Sequence, residues 1–332
     1  MEKKSIWKRI ADSREASLVI VLILLCAAVS IRNPAFMTLS NLEEILKNNA
    51  VTMILALGML CVLLIGGIDI SIASTLAFTG MSVGLLFKYG YMGSTLLGFL
   101  LALATGAVCG FIIGLVIGKG KVTPIIATMG FMYIYRGLAY VIGNSQWAGA
   151  DALGDFKSFA LEKYLGFGVI NNVIMVTIIC YIIFFFVMKW TKFGRNIYAV
   201  GSNEEAAAIS GINVSRVKIA VYTIMGLLSG LCGALATTVY ASAQPDMQTG
   251  KEMDVIAACV IGGVSMSGGK GSVGGALLGS LILAVIAKAL PLVGINSLAQ
   301  NTVKGVLIVV VIILNVITKR VMDKSALERR EM

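Results

Sequence analysis

The chain has no histidine, and that one absence removes several chemistries. Ser-His-Asp and Cys-His nucleophile systems, His-ligated zinc and histidine proton relays all need an imidazole. Charge is scarce too. Asp, Glu, Lys and Arg make up 13% of the 332 residues, about half of the ~25% that coats a soluble domain. The six cysteines (Cys26, Cys61, Cys109, Cys180, Cys232 and Cys259) lie inside apolar runs with no Cys-x-x-Cys spacing, so neither a disulfide framework nor a thiolate metal site is expected. Each reads as a small hydrophobe. A phosphate-binding loop is missing as well. The nearest stretch, "GVSMSGGKGS", has Val264 where the first glycine belongs and Gly271 where Ser or Thr belongs. The chain itself is therefore expected to bind no ATP.

What is present is apolar. Hydrophobic residues reach 58%, in runs near 20 residues long, which suits membrane-spanning helices rather than the ~10-residue alternation of barrel strands. The expected class is all-α: a polytopic helical membrane protein of about ten spans. They fall near residues 17–31, 45–66, 69–88, 92–118, 122–143, 166–190, 217–241, 254–268, 271–293 and 298–318, the eighth being short for a crossing. The first run could mimic a signal peptide, but Arg32-Asn33-Pro34 and many spans follow it, so an uncleaved first helix is expected.

With both termini in the cytoplasm, the inner segments hold roughly 18 cations, among them Lys119, Lys121, Lys192, Arg195, Arg216 and Lys218, against 6 in the outer ones. That is the sense of the positive-inside rule. The net charge of +10 is thus topological, and nucleic acid is not an expected partner. Residues 1–16 then form a cytoplasmic N-terminal segment, 17–318 the membrane domain, and 319–332 a cytoplasmic tail. Three cations fall inside spans: Arg136, Lys288 and Lys304. The lysines are placed to snorkel to the headgroups, whereas Arg136 lies deeper and is a functional candidate.

Glycine carries the most pattern. "GAVCGFIIGLVIG" spaces Gly106, Gly110, Gly114 and Gly118 four apart, one smooth stripe on a helix that lets a neighbouring backbone approach closely. Small pairs recur at Gly226/Gly230 and Gly275/Gly279. "LIGGIDIS" interrupts an apolar run at Gly66-Gly67, with Asp69 or Ser71 available to cap the next helix, and Gly262-Gly263 with Gly268, Gly269 and Gly271 offers a looser echo. Two readings stay open for both interruptions: a tight turn at the cytoplasmic edge, or a helix break beside a pore, where broken backbone must be buried or line a wet cavity.

The largest inner polar segment is "TKFGRNIYAVGSNEEAAAISGINVSRVK", residues 191 to 218, with the loop proper over 191–216. Ser202 or Asn203 as N-cap, Glu204 and Glu205 in a first turn, then alanines and Gly211 as stop predict a helix of about two turns. Such a helix is too short to stand alone and needs a partner surface.

Taken together, "GGIDIS", "TPIIATMGFMYIYRGLA", "GRNIYAVGSNEEAAAISGINVSRVK" and "VIGGVSMSGGKGS" resemble the permease subunits of bacterial sugar ABC importers, in particular the ribose, xylose, rhamnose and autoinducer type, through essentially the whole chain. The resemblance implies a multi-pass protein of the bacterial inner membrane working as a dimer with a second copy or a paralogue. It also implies a cytoplasmic ATP-binding subunit, which holds the ATP and Mg, and a periplasmic or lipid-anchored sugar-binding protein. It assigns the short helix, Glu204 to Gly211 with Glu205 and Ala207, as the element that docks on the ATPase, flanked by Arg195, Asn196 and Asn213. The family's Gly-Gly-Ile-Asp-Leu-Ser-Val-Gly-Ser pattern is altered here by Ile70, Ile72 and Ala73.

A sugar path wants amides, hydroxyls and aromatics, and the candidates are Asn48, Asn49, Thr123, Tyr133, Tyr135 and Arg136. A branched-chain amino-acid permease is the rival within the class. An ion-coupled carrier is the rival outside it, and it wants buried mid-span acids. Only Asp69 and Asp254 come near that requirement.

Overall fold

The computed structural model describes residues 14–144, 146–162 and 170–292, with scattered positions from 294 to 313. Helices dominate. In chain order they are α1 (Arg14–Arg32), α2 (Leu39–Leu64), α3 (Ile72–Lys88), α4 (Thr95–Gly118), α5 (Pro124–Gly143), α6 (Asn172–Trp190), α7 (Lys192–Ser202), α8 (Glu204–Ile209), α9 (Val214–Tyr240), α10 (Lys251–Ile261) and α11 (Val273–Leu292). The described residues also include 3-10 helix at Pro34–Met37 and, interrupted by a non-helical Gly154, over Ala150–Ala160. A lone bridge between Ala148 and Ala243 is the only β-pairing among the described residues.

Among the described residues seven helices are long and apolar enough to cross a membrane: α1, α2, α4, α5, α6, α9 and α11. Helix α3 is apolar but only 17 residues long. The expectation of ten spans needs correcting at residues 254–268. That run gives α10, 11 residues ending at Ile261, about 16 Å of helix against a hydrocarbon core of about 30 Å. The glycines at 262 and 263 stop it before it can cross. The tenth expected span, 298–318, lies largely outside the described residues.

Helix α2 is the axis of the bundle. Every residue from Ala50 to Leu64 is buried, as a helix apolar on all sides must be. It touches α9, α11, α10 and α6. Helix α9 is the second central element and packs most extensively on α4, then on α3 and α2. Helices α1, α5 and α6 lie outside, with Leu24, Ile126 and Ile182 each more than 60% exposed. Apolar area of that extent belongs against lipid tails rather than water.

Two glycine seams set the spacing. At Gly106, Gly110, Gly114 and Gly118, an added methyl would strike α9 backbone: the Gly226 carbonyl, the Tyr222 carbonyl, Ile219 and the Ser215 carbonyl respectively. Gly226 and Gly230 meet α4 in the same way from the other side. A second crossing joins Gly275 to Gly262 and Gly279 to Ala258. Five of the six cysteines are buried and all six carry free thiols. Lys288 pairs with Glu44 at 2.8 Å, so its charge is met within the protein. Lys304 lies outside the described residues.

Candidate functional site

The two Ile-Gly-Gly stretches end helices by the same hydrogen-bond pattern in different registers. At the end of α2, the Gly67 N–H bonds the Val62 carbonyl (2.9 Å) and the Gly66 N–H the Leu63 carbonyl (2.9 Å). This is a Schellman cap with Gly66 in the left-handed conformation, φ +73°. At the end of α10, Val264 N–H bonds Cys259 and Gly263 N–H bonds Val260, both at 2.9 Å, and the left-handed residue is Gly263, φ +91°. So the first glycine of one pair and the second of the other supply the conformation. The remaining member supplies clearance. A methyl at Gly67 would sit 2.5 Å from the Tyr222 hydroxyl, and one at Gly262 would strike the Gly275 carbonyl.

After Gly66 the chain turns into the bundle. Tyr222 lies eight residues inside the start of α9, about 12 Å along its axis, and Gly67 packs against it. Asp69 is 2% exposed and Ser71 0%. The expected capping of α3 needs correcting: Ser71 occupies the N-cap position and makes no side-chain cap bond. Asp69 Oδ1 instead accepts from the Ser71 N–H (2.9 Å) and hydroxyl (2.6 Å), closing the turn on itself. Tyr222 OH, which abuts this turn, is buried with no hydrogen-bond partner among the described residues.

The two glycine motifs and the polar segment meet at one place. Gly269 N–H donates to the Leu64 carbonyl, the last residue of α2, at 2.9 Å. Gly201, in the last turn of α7, lies against the same Leu64 carbonyl so closely that a methyl there would collide with it and sit 2.8 Å from Gly269 N. Gly268, φ +87°, has space for no side chain either, since a methyl would lie 2.7 Å from the Gly201 carbonyl. Tyr198 OH of α7 donates to the Gly271 carbonyl at 2.9 Å. The ends of α2 and α7 and the 264–272 loop thus form one backbone-to-backbone junction.

Beyond the junction stands a helical elbow. Helix α7 does not appear in the sequence reading, which placed one short helix in this segment. Its signal was there: Thr191, whose Oγ1 accepts from Gly194 N–H at 3.1 Å, followed by Phe193, Ile197 and Val200 on one face. Ile197 and Val200 are buried. Asn203, not Ser202, caps α8, with its side chain accepting from Ala206 N–H at 2.8 Å. Gly211, φ +84°, ends α8 in a third Schellman cap.

Helix α8 has an inner and an outer face. Ala207 is buried, whereas Glu205, Ala206 and Ala208 are exposed and Ile209 is 89% exposed. Ala207 is therefore the residue by which α8 is anchored to the rest of the chain. Glu204 is held by Lys218 of α9 at 2.8 Å. Asn213 caps α9 by accepting from Arg216 N–H at 2.9 Å. Arg195 is exposed, with Nη1 donating to the Trp190 carbonyl at 3.3 Å, and Asn196 is half-buried.

The six candidates for a sugar path do not converge. Tyr135 is buried and donates to the Cys109 carbonyl at 2.9 Å. Arg136 Nη1 donates to the carbonyls of Pro245 (2.7 Å) and Met247 (3.1 Å), pinning the segment that leads into α10. Glu252 follows that segment; burial pushes its carboxyl up from the ordinary range, with its own backbone N–H and the Arg136 charge acting in the opposite sense. Asn49 Nδ2 bonds its own helix at the Ile45 carbonyl. Asn48, Thr123 and Tyr133 are exposed, and α5, which carries Tyr133, packs on α3 and α4 rather than on the α2 that carries Asn48. Among the described residues no group of three or more metal-ligating side chains occurs.

Comparison with known proteins fits this architecture. Residues 41–315 match the family described as branched-chain amino acid transport system / permease component. The chain is 38% identical over 304 residues to the ribose import permease protein RbsC of Escherichia coli, covering 91% of this chain and 93% of that one. It is 39% identical over 296 residues to RbsC of Bacillus subtilis, covering 89% and 90%. To the L-arabinose transport system permease protein AraH of Escherichia coli it is 35% identical over 296 residues, covering 89% and 88%. No solved structure matches. The chain is thus a multi-pass helical membrane protein that belongs to the permease-component family of ABC importers, with permeases named for ribose and L-arabinose among its relatives.

Proposed function

We propose that the chain is the membrane-spanning permease subunit of a binding-protein-dependent importer for a monosaccharide or sugar-like solute. In this reading ATP is hydrolysed, with Mg, by a separate cytoplasmic subunit, and a periplasmic or lipid-anchored binding protein delivers the sugar. A second permease copy or paralogue completes the pathway, and both termini lie on the cytoplasmic side of the bacterial inner membrane. The family's description names amino-acid transport. The relatives that cover about nine-tenths of the chain carry sugar names, and they support the sugar reading.

The observation that carries the mechanism is the elbow. Helix α8, six residues long, presents Ile209 and Glu205 outward while Ala207 and the Glu204–Lys218 pair hold its inner face. An exposed isoleucine on a helix too short to be stable alone wants a partner groove. Force applied to α8 passes through Asn203 to α7, whose Gly201 bears on the Leu64 carbonyl without any intervening side chain. Helix α2 and the 264–272 loop then move with α7. A nucleotide-driven closure that shifts α8 therefore biases the central helix, supplying the differential energy that switching between two access states needs.

The test is purification of the tagged chain from its native host in mild detergent, with mass spectrometry of what accompanies it. A soluble ATPase should co-elute, and Ile209→Asp should remove it without lowering the thermal midpoint of the permease. A chain that elutes alone and moves sugar into vesicles under an ion gradient would sink the proposal.

A further inference from the structure

An open groove of about 680 Å³ runs between α4, α7 and α9. Its floor is apolar, formed by Phe111 and Leu115 of α4 and by Ile219 and Ile224 of α9. One end is basic. Lys119 directly follows the last residue of α4, and Arg216 sits in the first turn of α9, so the chain places two cations at the same mouth. Both are exposed, and neither has a carboxylate partner among the described residues. Among the described residues no Asp or Glu lines the groove.

Its occupant needs an anion at one end and an aliphatic body. From Phe111 to Lys119 is eight residues of α4, about 12 Å, which is the length of the upper half of a fatty acyl chain. A sugar would find almost no polar floor, since the one hydroxyl lining it among the described residues, Thr223, donates to its own helix at the Ile219 carbonyl, 2.8 Å. In a chain whose outer faces meet lipid, the occupant with that combination is a lipid. We propose that the groove binds one acidic phospholipid, its phosphate at Lys119 and Arg216 and one acyl chain along Phe111, Leu115, Ile219 and Ile224. Phe193 of α7 lines the groove too, so the lipid sits beside the elbow. The inference does not depend on the solute or on the ATPase partner.

Each Lys or Arg near a membrane surface favours an anionic headgroup by about fivefold, so two give a preference of roughly 30-fold. The experiment is native mass spectrometry of the purified full chain titrated with phosphatidylglycerol or phosphatidylcholine of identical acyl chains. The wild-type chain should retain phosphatidylglycerol with about that preference. The double variant K119Q/R216Q changes two exposed side chains and should keep its thermal midpoint, but its preference should fall below about threefold. Thr223→Trp, which fills the floor, should weaken both lipids alike. Equal retention of the two lipids by the wild type, or a preference that survives K119Q/R216Q, overturns the proposal. So does efficient cross-linking of Thr223→Cys to a second copy of the chain or to a co-eluting protein, since the groove would then be a protein interface.

Discussion

Replacing Gly201 with alanine tests the junction at its tightest point. The new methyl would collide with the Leu64 carbonyl oxygen and lie 2.7 Å from its carbon and 2.8 Å from Gly269 N. All three are backbone atoms, so no side chain can swing aside. Carbon–carbon contacts settle at about 3.5 Å, so relieving the carbon contact alone moves α7 from α2 by roughly 0.8 Å, the tighter oxygen contact demands more, and otherwise α2 and the glycine loop must part. If they part by that much, the Gly269 N–H to Leu64 carbonyl bond, 2.9 Å in the native chain, stretches beyond the ~3.5 Å at which it contributes. Overpacking costs about 1–3 kcal/mol, and losing the bond between the half-buried Gly269 and the buried Leu64 adds about 1 kcal/mol.

The strain falls where the ends of α7 and α2 meet and leaves the glycine seams between the spanning helices untouched, so the chain should still insert and fold. The outer face of α8 is untouched, so an ATPase subunit should still bind. Transmission should fail. Reconstituted with its partners in proteoliposomes, Gly201→Ala should lose at least tenfold in sugar uptake while retaining the co-eluting ATPase. Native uptake rates from this variant would refute the claim that α8 reaches α2 through Gly201.

Three further outcomes follow from the packing. Gly110→Ala places a methyl against the Tyr222 carbonyl and 2.8 Å from the Gly226 Cα, so the thermal midpoint in detergent should fall by several degrees for a loss of about 1–3 kcal/mol; an unchanged midpoint would mean the α4–α9 seam opens freely. Arg136→Gln removes the donors to Pro245 and Met247 and should destabilise the chain by about 1–3 kcal/mol, with Arg136→Lys recovering part of it. If stability holds while the KM for sugar rises, the guanidinium serves the solute and the structural assignment fails. Ala207→Leu should loosen α8, because Ala207 is buried, whereas Ile209→Ala should stay within about 0.5 kcal/mol of the native stability. Limited proteolysis after Ser202 separates the two, and equal protection in both variants would refute the inward orientation of Ala207.

The parts of this molecule legible in its sequence are those that local chemistry decides. Asn203 and Gly211 bound α8 because a side-chain oxygen and a missing Cβ act within one turn. The glycine stripe announces a close neighbour because four-residue spacing makes one face. Neither says which neighbour: that α4 meets α9, and that Gly110 faces Gly226, depends on partners more than a hundred residues away. The Ile-Gly-Gly echo shows the same limit from another side. Two stretches with the same letters end their helices one position apart, because Gly67 must clear Tyr222 while Gly262 must clear Gly275. The distant contact decides which glycine is spent on the left-handed turn and which on clearance. The surroundings of Ala207 and Arg136 were hidden from the sequence for the same reason. An alanine in a polar segment and an arginine in an apolar one carry no local sign of the elements behind them. Behind Ala207 is the bundle, and behind Arg136 are two carbonyls that otherwise lack those donors. The junction at Leu64, Gly201 and Gly269 is the extreme case, built from three segments and almost wholly from backbone. Each glycine in it is visible in the sequence as a turn, and only the fold makes the three of them a single transmission point.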